Sequence, residues 1–237
     1  MDRAAHIDAV AREGVTLAEA LAAGPREARV PSCPDWSVAD LAEHVGRFTG
    51  FWAHVLCEGT GRPKPPAPDM PTEGDLAEWY RPLVDALVAE LRATPPETEV
   101  WTWKPDEQTP AFIARRTTHE LAVHRVDAQL ARGSHTPIDP AVAVDGIDEA
   151  LMLAGVAGLR GDGQTLHLHA TDRDEEWLLT LAPSGLEVER AHRKADLALR
   201  GAVSDLELVL YHRPPVGPVE HLGDDEALAV WHAAFSF

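Results

Sequence analysis

The character of this chain changes after Pro137 and Pro140, from long helical repeats to a mixture of helical and alternating segments, and that change limits what the chain can fold into. Before it, long stretches repeat at the helical period. Residues 3 to 22 set Ile7, Val10, Val15, Leu17, Ala18 and Leu21 among charged residues and stop at Gly24-Pro25, which predicts an amphipathic helix. A second helix is expected over 38 to 57, with Val38, Leu41, Val45, Phe48 and Trp52 as its buried stripe. It follows a Pro-rich turn, and Ser37 with Asp40 has the spacing of a capping box. A third, over 75 to 93, carries Leu76, Trp79, Leu83, Leu87 and Leu91 and ends before Pro95-Pro96. The fourth runs from Pro110 to Arg132, with Gly133 in the usual C-terminal capping position. Between the second and third helices, Gly59 to Gly74 holds five prolines and no period, so it reads as a loop. Four such helices predict a bundle.

After Pro137 and Pro140 one more helical segment, 141 to 158, gives way to residues that alternate at period two: Thr165 to Ala170, Trp177 to Leu181 and Gly185 to Glu189. These predict antiparallel strands. Ala195 to Gly201 reads as a further strand, with helices over Val203 to Tyr211 and Asp224 to Ala234. The expected fold is therefore α+β, with a helical bundle over residues 1–138 and a small α+β domain with an antiparallel sheet over 139–237.

Composition narrows the partners. The chain has 21 basic against 39 acidic residues, a net charge of −18, which disfavours nucleic acid and anionic membrane surfaces. There is no apolar run of the roughly 18 residues a membrane span needs, and the stretch from Met1 to His6 lacks a signal-peptide core, so a cytoplasmic location is expected. Only Cys33 and Cys57 are present. They exclude a disulfide framework and a thiolate zinc site, and both are expected to be reduced.

The densest chemistry lies in Arg115-Arg-Thr-Thr-His119-Glu120-Leu-Ala-Val-His124-Arg-Val-Asp127. At about 100° per residue, Glu120 and His124 lie about 40° apart on one helical face with Asp127 close by, whereas His119 lies about 140° from His124. The zincin arrangement of two histidines at i, i+4 is therefore absent. Glu120 and His124 form half of a metal site. His44, in the middle of the second helix at the edge of its stripe, is better placed to complete it than His6 or His54 near helix ends. The competing reading makes Glu120 and His124 a polar pair on a solvated face and His44 a hydrogen-bonded core residue. Asp127 either fixes the His124 tautomer or pairs with arginine. Arg115, Arg116 and Arg125 suggest salt bridges or a small anionic ligand. Cys33 is either a reactive thiol or part of a rigid Pro-Ser-Cys-Pro turn. His167 and His169 share one strand face, as a two-histidine site or simply a polar surface, and Trp101 and Trp103 read as packing aromatics.

Taken together, Val30-Pro-Ser-Cys-Pro-Asp-Trp-Ser-Val-Ala-Asp-Leu-Ala-Glu-His44-Val, Val100-Trp-Thr-Trp and the stretch from Arg115 to Asp127 resemble the mycothiol-dependent maleylpyruvate isomerase family, within the wider DinB-like metal-binding bundles. Ala195 to Arg213 and the helix after Gly223-Asp224 resemble that family's C-terminal domain, related to sterol carrier proteins. The resemblance implies zinc or another divalent metal on His44, Glu120 and His124, with mycothiol as thiol cofactor. It also places a functional arginine at Arg213, where His212 stands in a position commonly occupied by Gly. It implies an isomerase or S-transferase that brings a low-molecular-weight thiol to a small electrophile, as a monomer or homodimer. The alternative is a non-catalytic divalent-metal protein that senses or carries a small ligand.

Overall fold

The structure, a computed structural model, describes every residue except 62, 63, 66, 236 and 237. Two compact units divide between Thr136 and Pro137, two residues ahead of the expected boundary. The first contains helices α1 (Arg3–Ala22), α2 (Val38–Glu58), α3 (Leu76–Ala93) and α4 (Pro110–Leu130), with a short hairpin of β1 (Arg29–Val30) and β2 (Cys33–Ser37) ahead of α2. Side-chain caps account for where each helix begins. Asp2 accepts from the Ala5 N–H, Asp75 from Ala77, and Thr109 from Phe112 ahead of a first-turn Pro110. Ser37 and Asp40 form both halves of a capping box. The described residues of the 59–74 loop contain no helix or strand, and residues 62, 63 and 66 lie outside them.

The main helix packing is of α1 on α4 and α3, and of α2 on α3 and α4. Leu17, Leu21, Leu41, Val45, Leu87 and Leu121 are fully buried at the centre. The buried face of α3 is turned from the expected one. Tyr80 and Val84 are buried, while Trp79 and Leu83 are only partly so. The indole explains this, since Trp79 Nε1–H donates to the Asp69 carbonyl at 2.9 Å, which keeps the ring at the rim.

The segment ahead of α2 also departs from the sequence reading. The Pro-rich turn is a hairpin, pairing Arg29 with Ser37 and Val30 with Cys33, and it packs on α2 and α4. A two-stranded ribbon this short depends on docking to other elements. Helix α4 buries nearly all of its polar residues. Arg116, Thr117, Thr118, His119, Glu120, His124, Arg125 and Asp127 are all buried.

The second unit contains α5 (Pro140–Val156), β3 (Gln164–Ala170), β4 (Glu176–Ala182), β5 (Gly185–Glu189), β6 (Leu197–Gly201), α6 (Val203–Leu210), β7 (Glu220–Gly223) and α7 (Glu226–Ala234). Its sheet runs β5-β4-β3-β6-β7. The β3–β4 and β4–β5 ladders are antiparallel as expected and β6–β7 is antiparallel too, but β3 and β6 are parallel, because residues 190–196 carry the chain back before β6 begins. Leu166, Leu168, Trp177, Leu179, Leu197 and Leu199 form the buried face. Strand β7, fully exposed, has no apolar alternation by which the sequence could announce it.

The end of α6 is a Schellman turn: the His212 N–H donates to Val209 O at 3.0 Å and the Arg213 N–H to Leu208 O at 2.7 Å. This requires a left-handed residue at His212, whose φ is +60°. A glycine would hold that conformation without a Cβ penalty. His212 therefore keeps the backbone path that glycine would give into Arg213, assisted by a ring stack on His232 at 4.2 Å. Replacing it, His212→Gly, is expected to raise the denaturation midpoint, by about 1 kcal/mol of stability. The opposite sign is expected at Gly14, where an added Cβ would lie 2.4 Å from Val84 Cγ1. Val84 is buried and stiff at χ1. Overpacking costs about 1–3 kcal/mol against the roughly 1 kcal/mol helix gain of replacing Gly, so Gly14→Ala should lower the urea midpoint.

Candidate metal centre

Helices α2 and α4 meet where Glu120 and His124, one turn apart on α4, face His44 of α2. The ligand atoms of these three residues all lie within 4.8 Å of one another. Glu120 Oε1 is 2.9 Å from His44 Nε2 and 3.4 Å from His124 Nε2. Its other oxygen, Oε2, accepts a hydrogen bond from Arg116, one turn earlier on α4. The carboxylate is thus divided, with one oxygen on a guanidinium and one between two imidazoles.

A second carboxylate orients His124. Its Nδ1 lies 2.8 Å from Asp127 Oδ2, and Ser32 Oγ–H donates to Asp127 Oδ1 at 2.5 Å. Asp127 thereby holds the Nδ1 proton and leaves Nε2 toward His44 and Glu120. The β1–β2 hairpin supplies Ser32 from its turn, and Cys33, whose Sγ is 4.0 Å from Asp127 Oδ2. It also supplies Trp36, whose ring lies 4.9 Å from the His44 ring and 6.3 Å from that of His124. The site opens at one ligand: His44 keeps 37% of its side-chain surface, against 5% for Glu120 and 3% for His124. That burial removes the alternative of a polar pair on a solvated face.

Electrostatics follow from this arrangement. Burial pushes the Glu120 carboxyl up, but the Arg116 charge and the hydrogen bonds from His124 and His44 outweigh it and hold Glu120 well below the usual carboxylate range. Burial likewise pushes His124 down, and hydrogen bonds to Asp127 and Glu120 override it, raising the imidazole from 6.5 to about 9.

The other sequence candidates lie elsewhere. His119 turns toward His6, with ring centroids 5.8 Å apart. Arg125 pairs with Glu13 at 2.7 Å, so Arg116 and Arg125 both serve ion pairs. Trp101 stacks on Trp52 and Trp103 packs edge-on to Phe112, as packing aromatics do. Arg213 belongs to the second unit, where its buried guanidinium donates through Nη1 to the Tyr211 carbonyl at 2.6 Å. Sequence reasoning missed Arg116 as the partner of Glu120, although the i, i+4 spacing was available. It also missed Ser32 and Trp36, which reach the site only through the hairpin.

The profile of the mycothiol maleylpyruvate isomerase N-terminal domain matches residues 7–129, a span that contains His44, Glu120 and His124. The chain belongs to this family. Two uncharacterized proteins of Mycobacterium tuberculosis, from different strains, are each 30% identical to it over 137 residues, 56% of this chain and 68% of theirs. Among solved structures, a crystal structure of a mycothiol-dependent maleylpyruvate isomerase superposes with a TM-score of 0.67 at 14% identity, covering 93% of both chains. A mutant of a mycothiol-dependent maleylpyruvate isomerase gives 0.68 at 13% identity, with the same coverage. At these identities the likeness is one of fold, and it extends through both units.

In metal-free protein the His124 imidazole is expected to titrate near 9, and Asp127→Asn should lower that value; side-chain 15N NMR across pH 5–10 reads both. Because the folded value exceeds the ordinary 6.5, the contribution of His124 to apo stability is complete below about pH 6.5 and is lost as pH rises through about 9. A folded-state value near 6.5 would contradict the hydrogen-bonded arrangement.

Proposed function

We propose that this protein is a metal-dependent enzyme that uses a mycothiol-type thiol to isomerise, or transfer sulfur to, a small electrophile. The convergence of His44 Nε2, Glu120 Oε1 and His124 Nε2 in a member of this family carries the reading. The donor set fits a divalent ion. Two ligands on a tetrahedral zinc at about 2.0–2.1 Å are separated by about 3.3 Å, and the imidazole nitrogens stand 2.9 and 3.4 Å from the carboxylate oxygen. Three protein ligands leave a position for an exogenous one, and two imidazoles with one carboxylate suit zinc among several divalent metals.

When bound, such a metal supplies positive charge that keeps a thiol ionised at neutral pH. The remaining work falls to the chain. His44, Glu120 and His124 hold the ion, and Asp127, itself held by Ser32, fixes the His124 ring and its basicity. Arg116 occupies Glu120 Oε2, so the carboxylate presents a single oxygen. Trp36 covers the two imidazoles from the hairpin side, and the partly exposed His44 marks where a thiol would approach. We assign Arg213 to binding a carboxylate on the substrate, a task suited to a planar guanidinium.

The test combines metal analysis with thiol-dependent turnover of maleylpyruvate and other small electrophiles. Wild-type protein is expected to contain a metal lost in His44→Ala and in His124→Ala, together with all mycothiol-dependent turnover and with helical content unchanged. Asp127→Asn should weaken metal affinity about 10–100-fold. Arg213→Lys should raise KM for a carboxylate-bearing substrate while metal content stays constant. Tight metal binding without turnover with any thiol would instead support a carrier or sensor. Metal content indifferent to His44 and His124 would overturn the assignment of the ligands.

A further inference from the structure

The second unit carries another convergent set of metal-ligating side chains, and the topology of its sheet explains how they meet. Strand alternation places His167 and His169 on the face opposite the buried Leu166 and Leu168. In the β3–β4 ladder His169 lies directly across from Glu176, and His167 lies across from Leu178, one diagonal step from the same carboxylate. Three of the four groups therefore share a face by register alone.

The fourth comes from the return crossover. From residues 190–196, between β5 and β6, His192 and Asp196 reach side chains of this same face. Asp196 Oδ2 accepts from the Thr165 N–H and Oγ–H, both at 2.8 Å, while His192 Nδ1 stands 2.7 Å from Glu176 Oε2. His167 Nε2 is 2.7 Å from that oxygen, and His169 Nδ1 is 3.2 Å from Oε1. The three imidazole rings stand edge-on to one another, with centroids 5.4 to 5.9 Å apart, and all four ligand atoms lie within 4.8 Å of one another. His167 is 5% exposed. Three rings aimed at one carboxylate exceed what its solvation needs, whereas imidazole and carboxylate are both zinc ligands and four of them fill a tetrahedral site.

We propose that His167, His169, Glu176 and His192 form a second, structural divalent-metal site, distinct from that of the helical bundle, which ties the crossover to the β3–β4 hairpin. With four protein ligands it has no open position, so its role is to hold the backbone. What it holds is a segment without helix or strand that must stay in place for β6 to pair in parallel with β3.

Zinc content of the full-length protein, measured after exhaustive exchange into zinc-free buffer, tests this directly. One zinc per chain is expected to remain in the His44→Ala/His124→Ala variant, and adding His169→Ala should remove it. In otherwise wild-type protein, the exposed His192→Ala should lower zinc content by one per chain with circular dichroism unchanged. A second readout lies in the crossover, which contains the trypsin sites Arg190, Arg193 and Lys194. Zinc at about ten times its dissociation constant should slow cleavage there about tenfold relative to chelated protein, since only the closed form binds the ion. The proposal is overturned if the bundle-site double variant is folded and zinc-free, or if neither His169→Ala nor His192→Ala changes zinc content or cleavage rate. Either result would leave a hydrogen-bonded cluster around Glu176. Because the bundle site is cleared separately, its success or failure does not decide this one.

Discussion

A carboxylate buried inside a helical bundle must be neutralised, and much of the first unit is arranged around doing so for Glu120. An isolated buried ion costs several kcal/mol, more than any single helix contact returns. Arg116 meets one oxygen, while His44 and His124 converge on the other. Arg116 is itself buried, with its guanidinium 5.8 Å from the Phe48 ring. The compensation then propagates outward, because His124 is anchored by Asp127 and Asp127 by Ser32 of the hairpin. The hairpin thus belongs to the site as much as the helices do. A helix like α4, buried along most of its length yet rich in charge, is stable only where each buried charge finds such a partner.

The helices were legible because period, caps and breakers agreed: Ser37 with Asp40 opens α2, Thr109-Pro110 opens α4, and each apolar stripe closes near a Gly or Pro. Legibility failed where tertiary contact decides. The β1–β2 hairpin is too short and Pro-rich to show a period, and the parallel pairing of β6 with β3 depends on a crossover that carries no local signal. Tyr80 displaced Trp79 from the buried face of α3 because an indole N–H needs a partner, which the apolar pattern does not record.

The site was legible in part and for a clear reason. Helical spacing joins Glu120 to His124 and separates His119, and a mid-helix place at the edge of the α2 stripe favours His44 over His6 and His54. Family resemblance named His44 as the third member, and the folded chain brings all three together. Ser32, Trp36 and His192 were invisible for one shared cause: each reaches its cluster from irregular or short extended chain, where no periodicity reports which way a side chain faces. His212 shows the converse. Its identity suggested a departure from the family pattern, yet its backbone takes the left-handed conformation that a glycine would supply.

The central claim is that His44, Glu120 and His124 hold a divalent ion open to a thiol. Cobalt(II) loaded into the His192→Ala protein, so that the bundle site alone reports, can be followed by absorption spectroscopy during titration with mycothiol. A sulfur-to-cobalt charge-transfer band in the near ultraviolet, growing to saturation at one thiol per cobalt and absent from His124→Ala, is the expected result. A cobalt spectrum that does not change on adding any thiol contradicts the claim.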